Sequence, residues 1–258
     1  MREEILKECE EIHYQLLTGM FYDEEIKIGD SKVMLNHSVE DSSWNHATRT
    51  DTENPEKSIE AITEFMFDKN RTPAICLTPI CKPGSLEKAL ILSGFDITAE
   101  ETWMTYQGNQ IQKVTADILT VKNLNQLSSF KKIYGKVFGS PEEPIPQDSD
   151  GIVNAWINYY FKKNKDSILE NYLYFEKNQP VGIGTLLGKN GFFGIYNVGT
   201  LPEFEGQGIG TKILQHMINQ ALKNKAKNIF LQTLDKEKFY AKRGFKTEFV
   251  GKCYELLR

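Results

Sequence analysis

Residues 201–222 read LPEFEGQGIGTKILQHMINQAL. Gly206, Gly208 and Gly210 alternate with Gln207 and Ile209 just before an amphipathic run, and Glu205 precedes them. A tight turn needs one glycine. Three let the backbone N–H groups of a loop and a helix N-terminus face one ligand with no side chain between. The chemistry on offer is anion binding, and a diphosphate engages several amides at once. Two familiar phosphate motifs do not fit. GxGxxG counted from Gly206 or Gly208 ends on Thr211 or Ile213, and in the GxxxxGK[ST] pattern Lys212 follows Thr211 with no hydroxyl after it. A second group stands downstream, in KFYAKRGFK. Tyr240 is a phenol whose usual pKa near 10 keeps it protonated at neutral pH. By itself Tyr240 also reads as an ordinary core aromatic.

The elements around these residues follow from local pattern. NYLYFEKNQPVGIGTLLGKNGFFGIYNVGT predicts three antiparallel strands with turns at KNQP and GKNG, ending just before the glycine loop. A helix follows, then a strand NIFLQTL, a short helix KEKFYAKRG and a final strand pair in FKTEFVGKCYELL. Upstream, ILTVK predicts a strand, NQLSSFKKIYGKVFG a helix, SPEEPIPQDSD a loop and IVNAWINYYFKK an aromatic helix.

The first ~107 residues alternate strand and helix by the same reading of period and turn signals. Ile5, Ile12, Leu16 and Leu17 form the stripe of a first helix. EIKIGDSKVML predicts two strands around a Gly-Asp turn, and SSWNHATRTD an extended segment. Asn54 caps a helix that starts at Pro55. PAICLTP is a strand, GSLEKALILSGF a helix stopped by Gly94, and ETWMTYQ a strand. Both halves end a short helix on Gly-Phe (Gly94-Phe95, Gly244-Phe245) and continue into a strand, as in a degenerate duplication. The polar GNQIQKVTAD is the connection, giving a first lobe over 1–110 and a second over 111–258. The expected fold is α/β with mixed, mostly antiparallel sheets flanked by helices.

Composition narrows the function. The 258 residues are 40% hydrophobic and 26% charged, with net charge −4. That is ordinary for a soluble globular chain and argues against a nucleic-acid footprint. MREEILKECEEIHYQLL lacks a signal peptide's basic start, and no run is long enough to span a membrane. Cys9, Cys76, Cys81 and Cys253 show no metal spacing and read as separate reduced thiols of a cytoplasmic protein.

NVGTLPEFEGQGIGTKIL resembles the acetyl-CoA loop of the GNAT N-acetyltransferase superfamily, [R/Q]-x-x-G-x-[G/A], with Gly208 and Gly210 at the small positions. KFYAKRGFK resembles the family's second signature, at the right distance. The resemblance implies two tandem GNAT-like lobes, the first degenerate. It implies acetyl-CoA as cosubstrate, no metal, and a small amine or peptide amine as acceptor. It places the pyrophosphate on the amides of Glu205, Gly206, Gln207, Gly208, Ile209, Gly210 and Thr211. The pantetheine arm would lie along the strand near Val198 and Thr200, with Tyr240 as general acid.

Glu205 stands where the family usually has Arg or Gln, and brings a negative charge unless it faces solvent or meets Lys212. Tyr196 and Glu170 are positional candidates for a base. A non-catalytic acyl-CoA-binding or regulatory protein is the alternative. The first lobe has no glycine between Asp30 and Pro83, and Leu90 stands where Tyr240 does when Gly94 is aligned with Gly244. One active site is therefore expected. His37, Trp44, Asn45 and His46 are candidates for the lining of an acceptor cleft.

Overall fold

The computed structural model describes residues 2–48, 50, 52–78, 81, 83–139 and 167–257. The proline-rich loop at 140–150 and the aromatic helix at 152–163 lie outside the described residues. The fold is mixed α/β, in two compact units that do not follow chain order. Unit 1 takes Met1–Met104, Gln232–Lys238 and Thr247–Arg258; unit 2 takes Thr105–Leu231 and Phe239–Lys246.

Unit 1 contains α1 (Arg2–Leu17), β1 (Glu24–Ile28), β2 (Ser31–Leu35), β3 (His46–Thr48), α2 (Pro55–Asp68), β4 (Ala74–Leu77), α3 (Pro83–Leu92) and β5 (Asp96–Tyr106). The strand order is β1-β2-β3-β4-β11-β5, where β11 (Phe245–Glu255) comes from the far end of the chain. Helix α2 begins as its sequence dictates. The Asn54 side chain accepts the Lys57 N–H at 3.2 Å, and Pro55 sits in the first turn. Ile59, Ile62 and Met66 of α2 then pack with Ile75, Leu90 and Tyr254. The stripe on α1 is displaced from the expected one. Ile12 and Leu17 are buried, but Ile5 is at the surface, and Glu10, His13 and Tyr14 are buried instead.

The expected terminal strand pair is one eleven-residue strand, β11. Gly251 does not turn the chain. A Cβ there would lie 2.9 Å from the Leu77 carbonyl, so the missing side chain lets β11 lie close against β4. The same register sets Cys253 opposite Cys76, and the two form a disulfide across 177 residues of sequence. The expectation of four separate thiols fails here because cross-strand register is invisible to spacing. Cys9 and Cys81 are buried and lie outside this disulfide.

Unit 2 contains β6 (Asp117–Thr120), α4 (Leu124–Phe138), β7 (Ser167–Glu176), β8 (Gln179–Lys189), β9 (Phe192–Thr200), α5 (Ile209–Lys223) and β10 (Asn228–Thr233, its last residues in unit 1). Its order is β10-β9-β8-β7-β6, antiparallel except for β10 with β9. The β7–β8 turn takes Lys177 and Asn178 at φ 47° and 67°, the left-handed pair of a tight hairpin. Ile213, Leu214, Met217 and Ile218 form the buried face of α5. A last short helix, α6, covers Glu237–Ala241. No described helix is long and apolar enough to cross a membrane.

Candidate functional site

Strand β9 is where unit 2 opens. Its parallel pairing with β10 covers Phe192, Phe193 and Gly194 and stops at Phe230↔Gly194, although β9 runs on to Thr200. On the other side β9 stays paired with β8, but the register shifts between Ile183 and Thr185. Two β9 residues, Asn197 and Val198, stand opposite Gly184 alone, and Asn197 has φ 55°. This is a β-bulge, which bends and twists a strand out of its ladder. The Asn197 amide donates to Thr185 Oγ1 at 3.1 Å and holds the bulge. Beyond Gly194, then, β9 has one edge without a ladder partner on β10, and Val198 and Thr200 lie on that stretch.

The chain leaves β9 through a 3-10 turn at Pro202–Phe204 and enters the glycine loop. Gly206 and Gly208 both have φ 76°, a left-handed conformation that other residues rarely hold, and a Cβ on either would meet nothing within 4 Å. Gly208 is the N-cap of α5 and contributes no side-chain cap. The amides of Ile209, Gly210 and Thr211 therefore begin a helix with no acceptor inside it, at its positive end. The Glu205 amide is committed to the Pro202 carbonyl at 3.2 Å. The Glu205 side chain is exposed, and Lys212 donates to the Tyr174 hydroxyl at 3.1 Å.

Sequence reasoning passed over Arg243. Its Nε and Nη2 donate to Thr211 Oγ1 at 2.9 and 2.6 Å, and Nη1 donates to the Phe239 carbonyl at 2.6 Å. The guanidinium stacks 3.6 Å over the Phe239 ring. A cation pinned to the positive end of a helix opposes the dipole, and an anion between them relieves both. Burial pulls the Arg243 pKa below its usual value, while Tyr240 acts in the opposite sense. The available signal was spacing: Phe239 and Arg243 are four apart, which in a helical turn sets a guanidinium over a ring.

Tyr240 is half-buried on α6, its ring 5.1 Å from Phe239 and 5.9 Å from Phe245. The Phe239 ring and Thr200 Oγ1 approach the Gly210 Cβ position at 3.7 and 3.8 Å. So the end of β9, the first turn of α5 and the Phe239–Arg243 segment converge. Tyr196 lies on β9 opposite Thr185. Glu170 lies on β7 and accepts a very short hydrogen bond from Tyr172, whose own pKa is pushed up by burial first and by Glu170 second. The four cleft candidates of unit 1 separate. His37 is exposed beside Glu24 at 3.4 Å, and Trp44 stacks on Phe21 at 4.7 Å. Asn45 is buried in a knot with Asn36, Val39, Asp41 and Arg71. His46 lines a cavity.

Residues 169–247 match the family model described as "Acetyltransferase (GNAT) domain". That stretch of the chain is therefore similar to a GNAT acetyltransferase domain. The fold is shared over nearly the whole length by a GCN5-related N-acetyltransferase from Kribbella flavida, with TM-score 0.68 and 15% identity over 96% of this chain and 94% of that one. A functionally unknown conserved protein from Staphylococcus epidermidis ATCC 12228 gives 0.63 and 18%, over 90% and 93%. A tandem GNAT protein from the clavulanic acid biosynthesis pathway gives 0.60 and 10%, over 88% and 79%. No curated protein matches the sequence. The matched stretch spans β7 to the start of β11, so it includes the opened strand, the glycine loop, Tyr240 and Arg243. Among the described residues no group of three His, Cys, Asp or Glu is placed to hold a metal.

Proposed function

We propose that the GNAT domain moves an acetyl group from acetyl-CoA to the primary amine of a small molecule or peptide, within the second half of the chain, residues 111–258. The observation that carries this reading is the end of β9–β10 pairing at Gly194, just upstream of a helix capped by glycine. The unpartnered edge of β9 suits an extended amide-bearing arm, which can pair with backbone near Val198 and Thr200 as another strand would. The amides of Gly206, Gln207, Gly208, Ile209, Gly210 and Thr211 suit a pyrophosphate, and Arg243 supplies the countercharge. Glu205 contributes no amide, and its exposed carboxylate is left to solvent.

In the reaction the amine nitrogen attacks the thioester carbonyl carbon. Negative charge gathers on the carbonyl oxygen, and a backbone N–H of the open strand is the donor suited to hold it. The C–S bond then breaks, its electron pair leaves on sulfur, and Tyr240 gives its proton to the thiolate. The amine's surplus proton passes to water. Glu170 is already engaged by Tyr172 and is not assigned as base.

The test is direct. Incubated with acetyl-CoA and a panel of amines, the protein should release free thiol only when an accepted amine is present. CoA should titrate to one site per chain. One bound CoA with no thiol release for any amine returns the chain to the acyl-CoA-binding alternative.

A further inference from the structure

Unit 1 holds a cavity of about 110 Å³. Its wall includes Tyr14, Tyr22, His46, Thr98, Glu101 and Glu255, and among the described residues no Lys or Arg lines it. The histidines do not supply positive charge in its place. Burial lowers His46 to about 4 and His13, also on the wall, to about 3. His46 Nδ1 lies 3.1 Å from the Ser42 carbonyl, which can only accept, so the proton sits on Nδ1 and Nε2 is an acceptor, 3.4 Å from the Tyr14 hydroxyl.

The two carboxylates are unequally provided for. Glu255 accepts the Ser42 hydroxyl at 2.6 Å. Glu101 is half-buried, and no described residue gives it a hydrogen bond or an ion pair. Burial raises its pKa, and its charge raises those of Tyr14 and Tyr22. A carboxylate withdrawn from water without a donor is costly, and natural structures satisfy such groups. What the described lining lacks is a positive charge to pair with Glu101. The rings of Tyr22 and His46, edge to face at 5.6 Å, add a surface that attracts a cation.

We propose that this cavity binds a small primary ammonium compound whose NH₃⁺ head pairs with Glu101. The head brings three N–H donors, and the Glu101 carboxylate can accept from it. A cavity of roughly 150 Å³ accommodates benzene, so this one takes a ligand of about five non-hydrogen atoms. The site lies in the unit without a glycine loop, and its occupation does not depend on acyl transfer.

Three probes of one length and different charge test it: n-butylammonium, 1-butanol and butyrate, titrated calorimetrically into the full chain at neutral pH without CoA. Butylammonium should bind, 1-butanol about tenfold more weakly, and butyrate not at all. Glu101→Gln should weaken butylammonium about tenfold while leaving 1-butanol unchanged. Ala99→Leu, on the cavity wall, should weaken both by filling space and leaves the carboxylate in place; it decides the matter if Glu101→Gln does not fold. Failure of butylammonium to bind at millimolar concentration, butyrate binding equal to it, or unchanged affinity in folded Ala99→Leu would each overturn the proposal.

Discussion

Two helices of this protein begin in opposite ways. In unit 1, α2 starts on Asn54, whose side chain takes the Lys57 amide, and Pro55 has no N–H to offer. In unit 2, α5 starts on Gly208, which has no side chain, and Arg243 waits beside the first turn. The first helix end is satisfied by its own chain; the second is left for something else. The Gly-Phe closures repeat the contrast. Gly94 and Gly244 share left-handed φ values of 84° and 87°, and Phe95 and Phe245 are both buried. Four residues before the glycine, unit 1 has the fully buried Leu90 and unit 2 the half-buried Tyr240. The same backbone device therefore frames a core leucine in one unit and a half-buried tyrosine in the other.

Acid should separate the units most. His46 and His13 are held by burial at about 4 and about 3, against 6.5 in the unfolded chain. The folded state refuses protons that the unfolded state accepts. Their contribution is intact above pH 6.5, erodes as pH falls and levels off below those folded values. The slope is about 1.4 kcal/mol per pH unit for each histidine. Unit 2 has His216, which is only part-buried. Amide exchange at pH 7 and pH 5 should show unit 1 losing protection first; equal losses in both units would break the contrast.

Next comes Tyr240→Phe, which keeps the ring and removes the proton. kcat should fall about 10- to 1,000-fold with little change in KM for acetyl-CoA. Wild-type kcat in this variant would make Tyr240 the packing residue that Leu90 is. Gly208→Val forces a β-branched residue into a left-handed cap and puts a side chain where the ligand approaches. CoA affinity should drop by about 2 kcal/mol, roughly thirtyfold. Calorimetry on the folded variant that finds no change would remove the cradle. Arg243→Ala should cost about tenfold in CoA affinity, less in high salt, since a partly exposed charge is screened. Smallest is Asn54→Ala. It should cost about 1 kcal/mol of stability by denaturant melting and leave CoA affinity untouched. An effect on CoA there would mean that α2 is not the closed helix end described.

The elements were legible because their signals are local. Period, caps and turn residues lie within a dozen positions, and the Asn54 cap, the three-strand meander and the glycine-capped helix all follow from them. The bulge at Asn197 was not legible, because it is a mismatch of register between two strands and neither strand announces it alone. Arg243 was hidden because its partner Thr211 lies 32 residues away. The single strand β11 was misread because Gly251 signals a turn in one dimension and a close neighbour in three.

That close neighbour has a consequence for how the chain emerges. The meander β7-β8-β9 can form from consecutive residues as they are synthesised. Strand β4, whose four residues are all buried in the finished protein, must wait for a partner that lies 177 residues downstream at the Cys76–Cys253 pair. Until then an apolar strand edge stands open on the nascent chain, the kind of edge that recruits other chains. Late closure of so long a loop makes unit 1 the slow partner in folding. A growing polypeptide of this design spends most of its synthesis with an aggregation-prone edge exposed, where a chaperone would bind first.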